Sequence, residues 1–277
     1  MQNLADNRFF QFYEKWLLKL EKIANELIQF IRSRNQTMTN DSQLKHLFCR
    51  ATSHIKEFYT VKWAEARENC LPFFAPVWLT PLENSYLWVT GFQPSAVVFP
   101  LVDTMMNQPA PVAGTDPSLL FRVTPEQARS IEELKIRIKR EEEKVNKQMQ
   151  RIHRCWSVAD RRREELVNLT MQVKGRINLN MLRVAEGNAL WALAMRQFIV
   201  ALENTMKGAD CARLLALKGV LDVLTPMQCL EFLASFFLLQ LRLRQWGKAK
   251  LIEGSAGGGA ASPATADEET KVNNDKE

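Results

Sequence analysis

The chain is 277 residues long, 46% hydrophobic and 25% charged, an ordinary globular composition sized for one or two domains. That excludes a wholly disordered chain, a collagen-like repeat and a small disulfide-stapled scaffold. Its 37 Lys+Arg outnumber 31 Asp+Glu for a formal charge of +6, and because residues 254–277 carry two Lys and five acidic groups, the preceding body holds +9; a basic body with an acidic tail suits an anionic partner or a nuclear address.

Over about 6–32, Phe9, Phe10, Tyr13, Trp16, Leu17, Leu20, Ala24, Leu27, Ile28 and Ile31 recur in steps of one, three and four, the stripe of an amphipathic helix. Residues 41–67 repeat the pattern through Leu44, Leu47, Phe48, Ala51, Ile55, Phe58, Tyr59 and Trp63. The polar stretch 34–40 joins them, so an antiparallel helical pair is expected. Pro72 and Pro76 then enforce a loop.

Thr80-Pro81-Leu82-Glu83 reads as a helix start. Thr accepts from an orphan N–H, Pro supplies a helical φ where no N–H is needed, and Glu closes the capping box. The device recurs at Thr124-Pro125-Glu126-Gln127 and Thr225-Pro226-Met227-Gln228. A short helix is expected near 95–106, followed by a linker at about 107–123 that holds Pro109, Pro111, Gly114 and Pro117.

From Pro125 a charged helical stretch runs to about residue 177. Ile131, Ile138, Val145, Ile152, Ala159, Leu166 and Val173 recur every seven residues, but Glu141, Gln148, Cys155, Arg162 and Arg176 interrupt the companion position. This predicts a long helix laying one stripe on a core, with a parallel dimer zipper as the alternative. About 53 helical residues would span ~80 Å, against a radius of gyration near ~18 Å for a compact body of that size. The helix must therefore bend, break or protrude, and the expected place is 157–163.

A central helix follows at 185–206. Asp210 is expected to cap the next helix, which carries Leu214, Leu217, Val220 and Leu221. A last helix spans 226–246, with Gly247 as its stop. No period-2 run long enough for a sheet occurs. The expected architecture is an all-α helical bundle with one long central helix: a short extension at 1–5, a helical domain at 6–250, and a disordered acidic tail at 251–277.

Little in the chain points to catalysis. Cys49, Cys70, Cys155, Cys211 and Cys229 are odd in number and far apart, which fits a reducing compartment better than a disulfide framework. The first residues hold no cleavable signal peptide. The most apolar stretches, 189–202 and 229–239, are too short to span a bilayer, so an intracellular, soluble protein is expected. His54 lies among apolar residues and is expected to be a hydrogen-bonded imidazole at the core edge. His46 and Cys49 are only half a metal site, and His153 is expected to be solvated. No Gly-rich phosphate loop, Gly-x-Ser-x-Gly elbow or His-Glu-x-x-His pattern occurs. Glu141, Glu142 and Glu143, flanked by Lys139, Arg140, Lys144 and Lys147, read as a salt-bridged solvated face. No enzymatic activity, metal or cofactor is expected.

Two surfaces stand out. Lys135, Arg137, Lys139 and Arg140, with Arg161, Arg162 and Arg163, are candidate contacts to an anionic partner or nuclear-import signals. Asn146 and Arg154 have basic-zipper spacing, but position 163 is Arg where a zipper Leu belongs. Sequence-specific DNA binding through this stretch is therefore the alternative reading. Trp78, Tyr86, Trp88 and Phe92 crowd into 15 residues, as a corner of the core or as an aromatic-lined partner groove.

The segment Pro76-Val77-Trp78-Leu79-Thr80-Pro81-Leu82-Glu83-x-Ser85-Tyr86-Leu87-Trp88-Val89-x-Gly91-Phe92-x-Pro94-Ser95 closely resembles the hallmark of the plant Delay-of-Germination domain, which also forms the C-terminal part of TGA-type basic-zipper transcription factors. Phe9-x-x-Phe12-Tyr13-x-x-Trp16-Leu17, His54-x-x-x-Phe58-Tyr59, Ala209-Asp210-x-x-Arg213 and Leu221-x-Val223-Leu224-Thr225-Pro226-x-Gln228 are similar too. The resemblance covers about residues 6–247. It implies a non-enzymatic, all-helical regulatory module in transcription, abscisic-acid signalling, seed dormancy, stress or development, in nucleus and cytoplasm. Implied partners are regulatory proteins, including type 2C protein phosphatases and transcription factors, with no membrane. The domain begins within ten residues of Met1 and resembles a stand-alone member, so the TGA factors' DNA contact is not carried over. No His lies beyond 153, so haem ligation through C-terminal histidines has no candidates. A monomer or weak homodimer is expected.

Overall fold

The computed structural model describes the backbone over residues 4–33, 41–106, 123–172 and 179–256, and side chains over 8–33, 41–106, 123–155, 157, 192 and 194–250. Within these limits the chain is all-α, with helices α1 (Leu4–Ser33), α2 (Asp41–Glu68), α3 (Pro81–Ser85), α4 (Pro94–Met106), α5 (Pro125–Gln172), α6 (Leu179–Val223) and α7 (Pro226–Ala256). A 3-10 turn occupies Leu71–Phe73. Among the described residues no strand occurs, only one isolated bridge between Trp88 and Gly91.

The apolar stripes fold as their spacing demands. α1 buries Phe9, Trp16, Leu20, Ala24 and Leu27, and α2 buries Leu47, Ala51, Ile55 and Tyr59. The two run antiparallel, tied by Trp16 Nε1 donating to the His54 carbonyl at 3.0 Å and His54 Nε2 donating to the Trp16 carbonyl at 3.1 Å. His54 is buried and stacks on Trp16, with ring centroids 4.8 Å apart. Burial holds its pKa below 6.5, against the upward pull of the Trp16 carbonyl and Glu57. It is the core-edge imidazole its setting predicts. α7 lies across this pair, with Leu230, Leu233, Phe232 and Phe237 fully buried.

All three Thr-Pro starts form reciprocal caps. Thr80 Oγ1 accepts from Glu83 N at 3.2 Å while Glu83 Oε2 accepts from Thr80 N at 2.7 Å. Thr124 with Gln127 and Thr225 with Gln228 do the same. Gln127 Nε2 also donates to Gln228 Oε1 and to the Val223 carbonyl, each at 3.0 Å, knitting the starts of α5 and α7 together.

α5 and α6 form a long antiparallel hairpin, with Leu134 against Gly219 and Val145 against Gly208. Ile131, Ile138, Val145 and Ile152 are buried, so the heptad stripe serves the chain's own core over these positions. Its continuation at 159, 166 and 173 lies outside the described side chains.

Four local expectations are corrected and one is narrowed. Of the bend, break or protrusion expected of α5 at 157–163, the break does not occur, because the helix continues to Gln172. Residues 185–206 and the segment after Asp210 are one helix, α6, rather than two. Asp210 caps nothing, because its carboxylate is buried among side-chain donors. Gly247 stops nothing, because α7 runs on to Ala256. Glu142 is not on a solvated face: it is buried and accepts from Ser95 N at 2.8 Å, Ser95 Oγ at 2.7 Å and Gln93 Nε2 at 2.9 Å. It thereby satisfies the α4 N-terminus from a neighbouring helix. Its neighbours keep the expected pairing, Glu141 with Lys144 at 2.7 Å and Glu143 with Lys147 at 3.9 Å. Residues 107–122, 173–178 and 257–277 lie outside the described residues; they hold nearly all of the linker expected at 107–123 and most of the tail expected at 251–277, whose residues 251–256 belong to α7.

Gly247 is needed where it stands because a Cβ there would collide with the Thr80 side chain. In an exposed helix, Gly→Ala stabilises by ~1 kcal/mol. Here overpacking costs ~1–3 kcal/mol and falls on a working cap. Gly247→Ala is therefore expected to lower stability in urea denaturation. The loss should shrink in a Thr80→Ala background, where the nearest obstructing atom, Oγ1, is removed and only Cβ remains close.

Candidate functional site

Residues 88–91 make a tight turn, with Trp88 N donating to the Gly91 carbonyl at 2.7 Å and Gly91 N to the Trp88 carbonyl at 3.3 Å. Val89 takes φ 60°. For a β-branched residue this is a strained conformation costing ~1–3 kcal/mol, which persists only when its surroundings impose it.

Two buried cations impose it here. Lys62 Nζ, from α2, donates to the Thr90 carbonyl at 3.0 Å and to Thr90 Oγ1 at 2.9 Å. Arg213, from α6, donates through Nε to the Phe92 carbonyl at 2.7 Å and through Nη2 to the Trp88 carbonyl. Its guanidinium also sits over the Trp88 and Phe92 rings, 5.2 and 5.8 Å from their centroids. A Cβ on Gly91 would lie 3.0 Å from Arg213 Cζ, so the turn needs glycine there to approach so closely.

Asp210 sits between the two cations with 0% exposure. Oδ1 accepts from Lys62 Nζ at 2.8 Å and from Arg213 Nη1 at 2.5 Å, while Oδ2 accepts from Trp63 Nε1 at 3.0 Å. One carboxylate thus joins α2, α6 and the turn. Burial pushes the Lys62 pKa down from 10.5 to about 8; Asp210 pulls it up and Arg213 pushes it further down. Burial, reinforced by Asp210, raises the pKa of Tyr59.

The cluster forms part of the wall of an apolar cavity of about 510 Å³ between α1, α2, α4, α7 and the 86–92 segment. Behind the lining residues Tyr13, Trp78 and Glu83, Arg244 stacks on Tyr13, donates to the Trp78 carbonyl at 3.0 Å and pairs with Glu83 at 3.1 Å and with Glu14. The mouth is flanked by Tyr86, 60% exposed, and Trp246, 62% exposed, with Leu239 partly exposed beside them.

The four sequence-singled aromatics therefore separate. Trp78 is 5% exposed and packs against Phe9 and Phe73; it is core, not a free docking surface. Tyr86 is on the rim, and Phe92 lines the cavity with its edge against Phe236 at 5.5 Å. Trp88 is half-buried and donates through Nε1 to Asn146 Oδ1 at 2.8 Å, which also gives Asn146 a role other than base contact. Among the basic residues, Lys135 is paired with Asp103 at 2.8 Å and Glu132 at 2.7 Å. Arg137, Lys139 and Arg140 are exposed on α5. The side chains of Arg161, Arg162 and Arg163 lie outside the described ones.

Sequence reasoning missed Lys62, the role of Asp210 with Arg213, and the rim residues Leu239 and Trp246. Signals were present. Lys62 falls on the buried stripe of α2, between Tyr59 and Ala66, where a charge demands a partner. Leu239, Leu243 and Trp246 are spaced four and three apart, a second apolar stripe on a helix that needs only one to face the core.

The lowered Lys62 pKa makes stability depend on pH. Between about 8 and 10.5 the unfolded chain holds this proton while the folded one releases it. This contribution to stability is therefore present above 10.5 and is lost as pH falls through 8. Relative to Lys62→Met, the wild-type chain is expected to gain stability from pH 7.5 to 9.5 in urea titrations. A flat difference would contradict the assignment.

Among the described residues no group of three or more His, Cys, Asp or Glu could hold a metal ion, and no helix is long and apolar enough to cross a membrane. Cys70 and Cys229 are buried free thiols; Cys49, Cys155 and Cys211 are exposed.

A family model described as seed dormancy control matches residues 24–104. The chain is similar to Protein DOG1-like 4 of Arabidopsis thaliana, 38% identical over 250 residues, covering 90% of this chain and 96% of that protein. It is similar at 25% identity to Protein RESPONSE TO ABA AND SALT 1 of the same plant, over 88% of this chain and 97% of that one. Transcription factor TGA6, also from Arabidopsis thaliana, is 26% identical over 84% of this chain and 61% of its own length.

Proposed function

The chain belongs to the DOG1-like family of seed-dormancy-control proteins, and from that premise we propose that it is a non-enzymatic regulatory module that works by docking protein partners. The observation that carries the reading is the mouth of the apolar groove, where Tyr86 and Trp246 stay 60% and 62% exposed above a wall of buried apolar side chains. Large aromatics at the edge of a concave apolar surface supply binding energy out of proportion to their number.

The names of its relatives, which refer to abscisic acid and salt response and to TGA transcription factors, support a role in abscisic-acid, dormancy or stress signalling in nucleus and cytoplasm. Type 2C protein phosphatases and transcription factors are the partners to try first. The test is titration of purified phosphatases and TGA factors with the wild-type chain and with Tyr86→Ala/Trp246→Ala. The double variant is expected to keep the helical fold and to bind at least tenfold more weakly. Unchanged affinity for every partner that binds wild type would refute docking at this groove. A fluorescent fusion restricted to one compartment would refute the dual location.

A second reading, direct DNA association, rests on Arg137, Lys139 and Arg140, which are exposed on α5 with no acidic partner among the described residues. It requires sequence-selective duplex binding with a steep salt slope, abolished by replacing these three with Gln.

A further inference from the structure

Between residues 137 and 154 the outer face of α5 carries one sign of charge. Arg137, Arg140, Lys144, Lys147, Arg151 and Arg154 are spaced three and four apart. At 3.6 residues per turn they share an arc about 100° wide, and no other residue of that stretch falls within it. The arc lies opposite the buried Ile138, Val145 and Ile152, and all six cations are exposed. They form a basic stripe about 26 Å long. Lys144 and Lys147 meet Glu141 and Glu143 of their own helix at 2.7 and 3.9 Å, exposed pairs of little weight. The four arginines have no acidic partner among the described residues. Like charges three and four apart repel one another along a helix, so the stripe gains from an anion laid on it.

The chain carries such an anion itself. Past Ala256, where α7 ends, residues 257–277 hold Asp267, Glu268, Glu269, Asp275 and Glu277 against Lys271 and Lys276. The stripe is within their reach. α5 and α7 start from one knot, Gln127 on Gln228 at 3.0 Å, and both helices meet the segment that begins at Thr80. Asn146 of α5 accepts from Trp88, and Gly247 of α7 lies against Thr80. Because residues 81–85 are helical, no more than about 20 Å of chain separates Thr80 from Trp88. From Gly247 to Ala256 the helix adds about 14 Å, and the residues beyond can extend about 70 Å. Tethering holds their carboxylates near the stripe at an effective concentration of about millimolar, so individually weak contacts suffice. We propose that residues 257–277 lie back on the Arg137–Arg154 face of α5 and screen it from external polyanions. This contact does not depend on partner docking at the apolar groove.

The experiment compares the full chain with a variant of the same length and a neutral tail, Asp267→Asn/Glu268→Gln/Glu269→Gln/Asp275→Asn/Glu277→Gln. The probe is fluorescein-labelled heparin, followed by anisotropy at low and high NaCl. The neutral-tail variant is expected to bind heparin at least fivefold more tightly than wild type at low salt, with the difference closing as salt screens the contact. Replacing Arg137, Arg140, Arg151 and Arg154 with Gln, all at exposed positions, should erase the difference between the two tails. Carbodiimide coupling, which joins a lysine amine to a carboxylate with loss of water, supplies a second arm. In an equal mixture of 15N-labelled and unlabelled wild type, Lys144 or Lys147 should link to a tail carboxylate within one chain. Equal heparin affinity of wild type and the neutral-tail variant would overturn the proposal. A gain that survives loss of the four arginines would overturn it too, because the tail would then act through net charge alone. Links found only between labelled and unlabelled chains would overturn the fold-back in favour of a contact between two copies.

Discussion

Asp210→Ala is expected to destabilise the protein by about 3–5 kcal/mol, the cost of breaking a buried ion pair by removing one partner. The residue is fully buried and touches three donors from two helices, Lys62, Trp63 and Arg213. Alanine leaves two cations facing each other in an apolar wall and orphans the Trp63 indole N–H. Typical domains hold only ~5–15 kcal/mol in all, so the variant should denature at a much lower urea midpoint. Asp210→Asn keeps the size and acceptor but not the charge, and should fall between wild type and alanine. Adding Lys62→Met to Asp210→Ala should recover part of the loss, because one uncompensated charge disappears with its partner. A loss under ~1 kcal/mol for Asp210→Ala would mean that water or another group satisfies the cluster. The strained turn would then owe its shape to something other than Lys62 and Arg213.

That cluster marks where the sequence ceased to be legible. The helices were legible because each carries a local signal. Apolar residues at threes and fours give α1 and α2, and Thr-Pro-x-Glu/Gln gives the starts of α3, α5 and α7, with both halves of each cap within four residues. Three of the errors share one cause, a local cue overruled by a distant partner. Asp210 looks like a cap until Lys62, 148 positions away, claims its carboxylate. Gly247 looks like a stop, but its missing Cβ serves a close approach to Thr80 on α3. Glu142 looks solvated among charges, yet it caps α4 from across the interface. In the candidate site the segment 76–95 could be picked out by its aromatic density. Which rings face inward could not, because Trp78 and Tyr86 stand on either side of α3 and only Trp78 meets Phe9 of α1 and Phe73, while Tyr86 stays exposed.

Trp78→Ala and Trp246→Ala should therefore behave as opposites, although both delete a tryptophan beside the same cavity. Trp78 is 5% exposed, packs at 4.8 Å from the Phe9 ring centroid and 5.4 Å from that of Phe73, and its carbonyl accepts from Arg244. Truncating a buried Trp costs about 3–5 kcal/mol in lost transfer energy and cavity. Any loss of partner binding by Trp78→Ala would thus follow from loss of fold, and its urea midpoint should report it. Trp246 is 62% exposed, and surface truncations usually stay within about 0.5 kcal/mol. Its removal should leave the urea midpoint in place and weaken partner binding by about 2 kcal/mol or more, as expected of a central aromatic anchor. The contrast separates two accounts of the aromatic cluster that the sequence leaves equal. If Trp246→Ala is silent in both assays and Trp78→Ala alone abolishes binding from a fully folded state, the recognition surface lies on the α1 side of the core. If stability and binding divide as expected, the rings nearest the 76–95 hallmark hold the wall in shape, and an unheralded ring on α7 makes the contact.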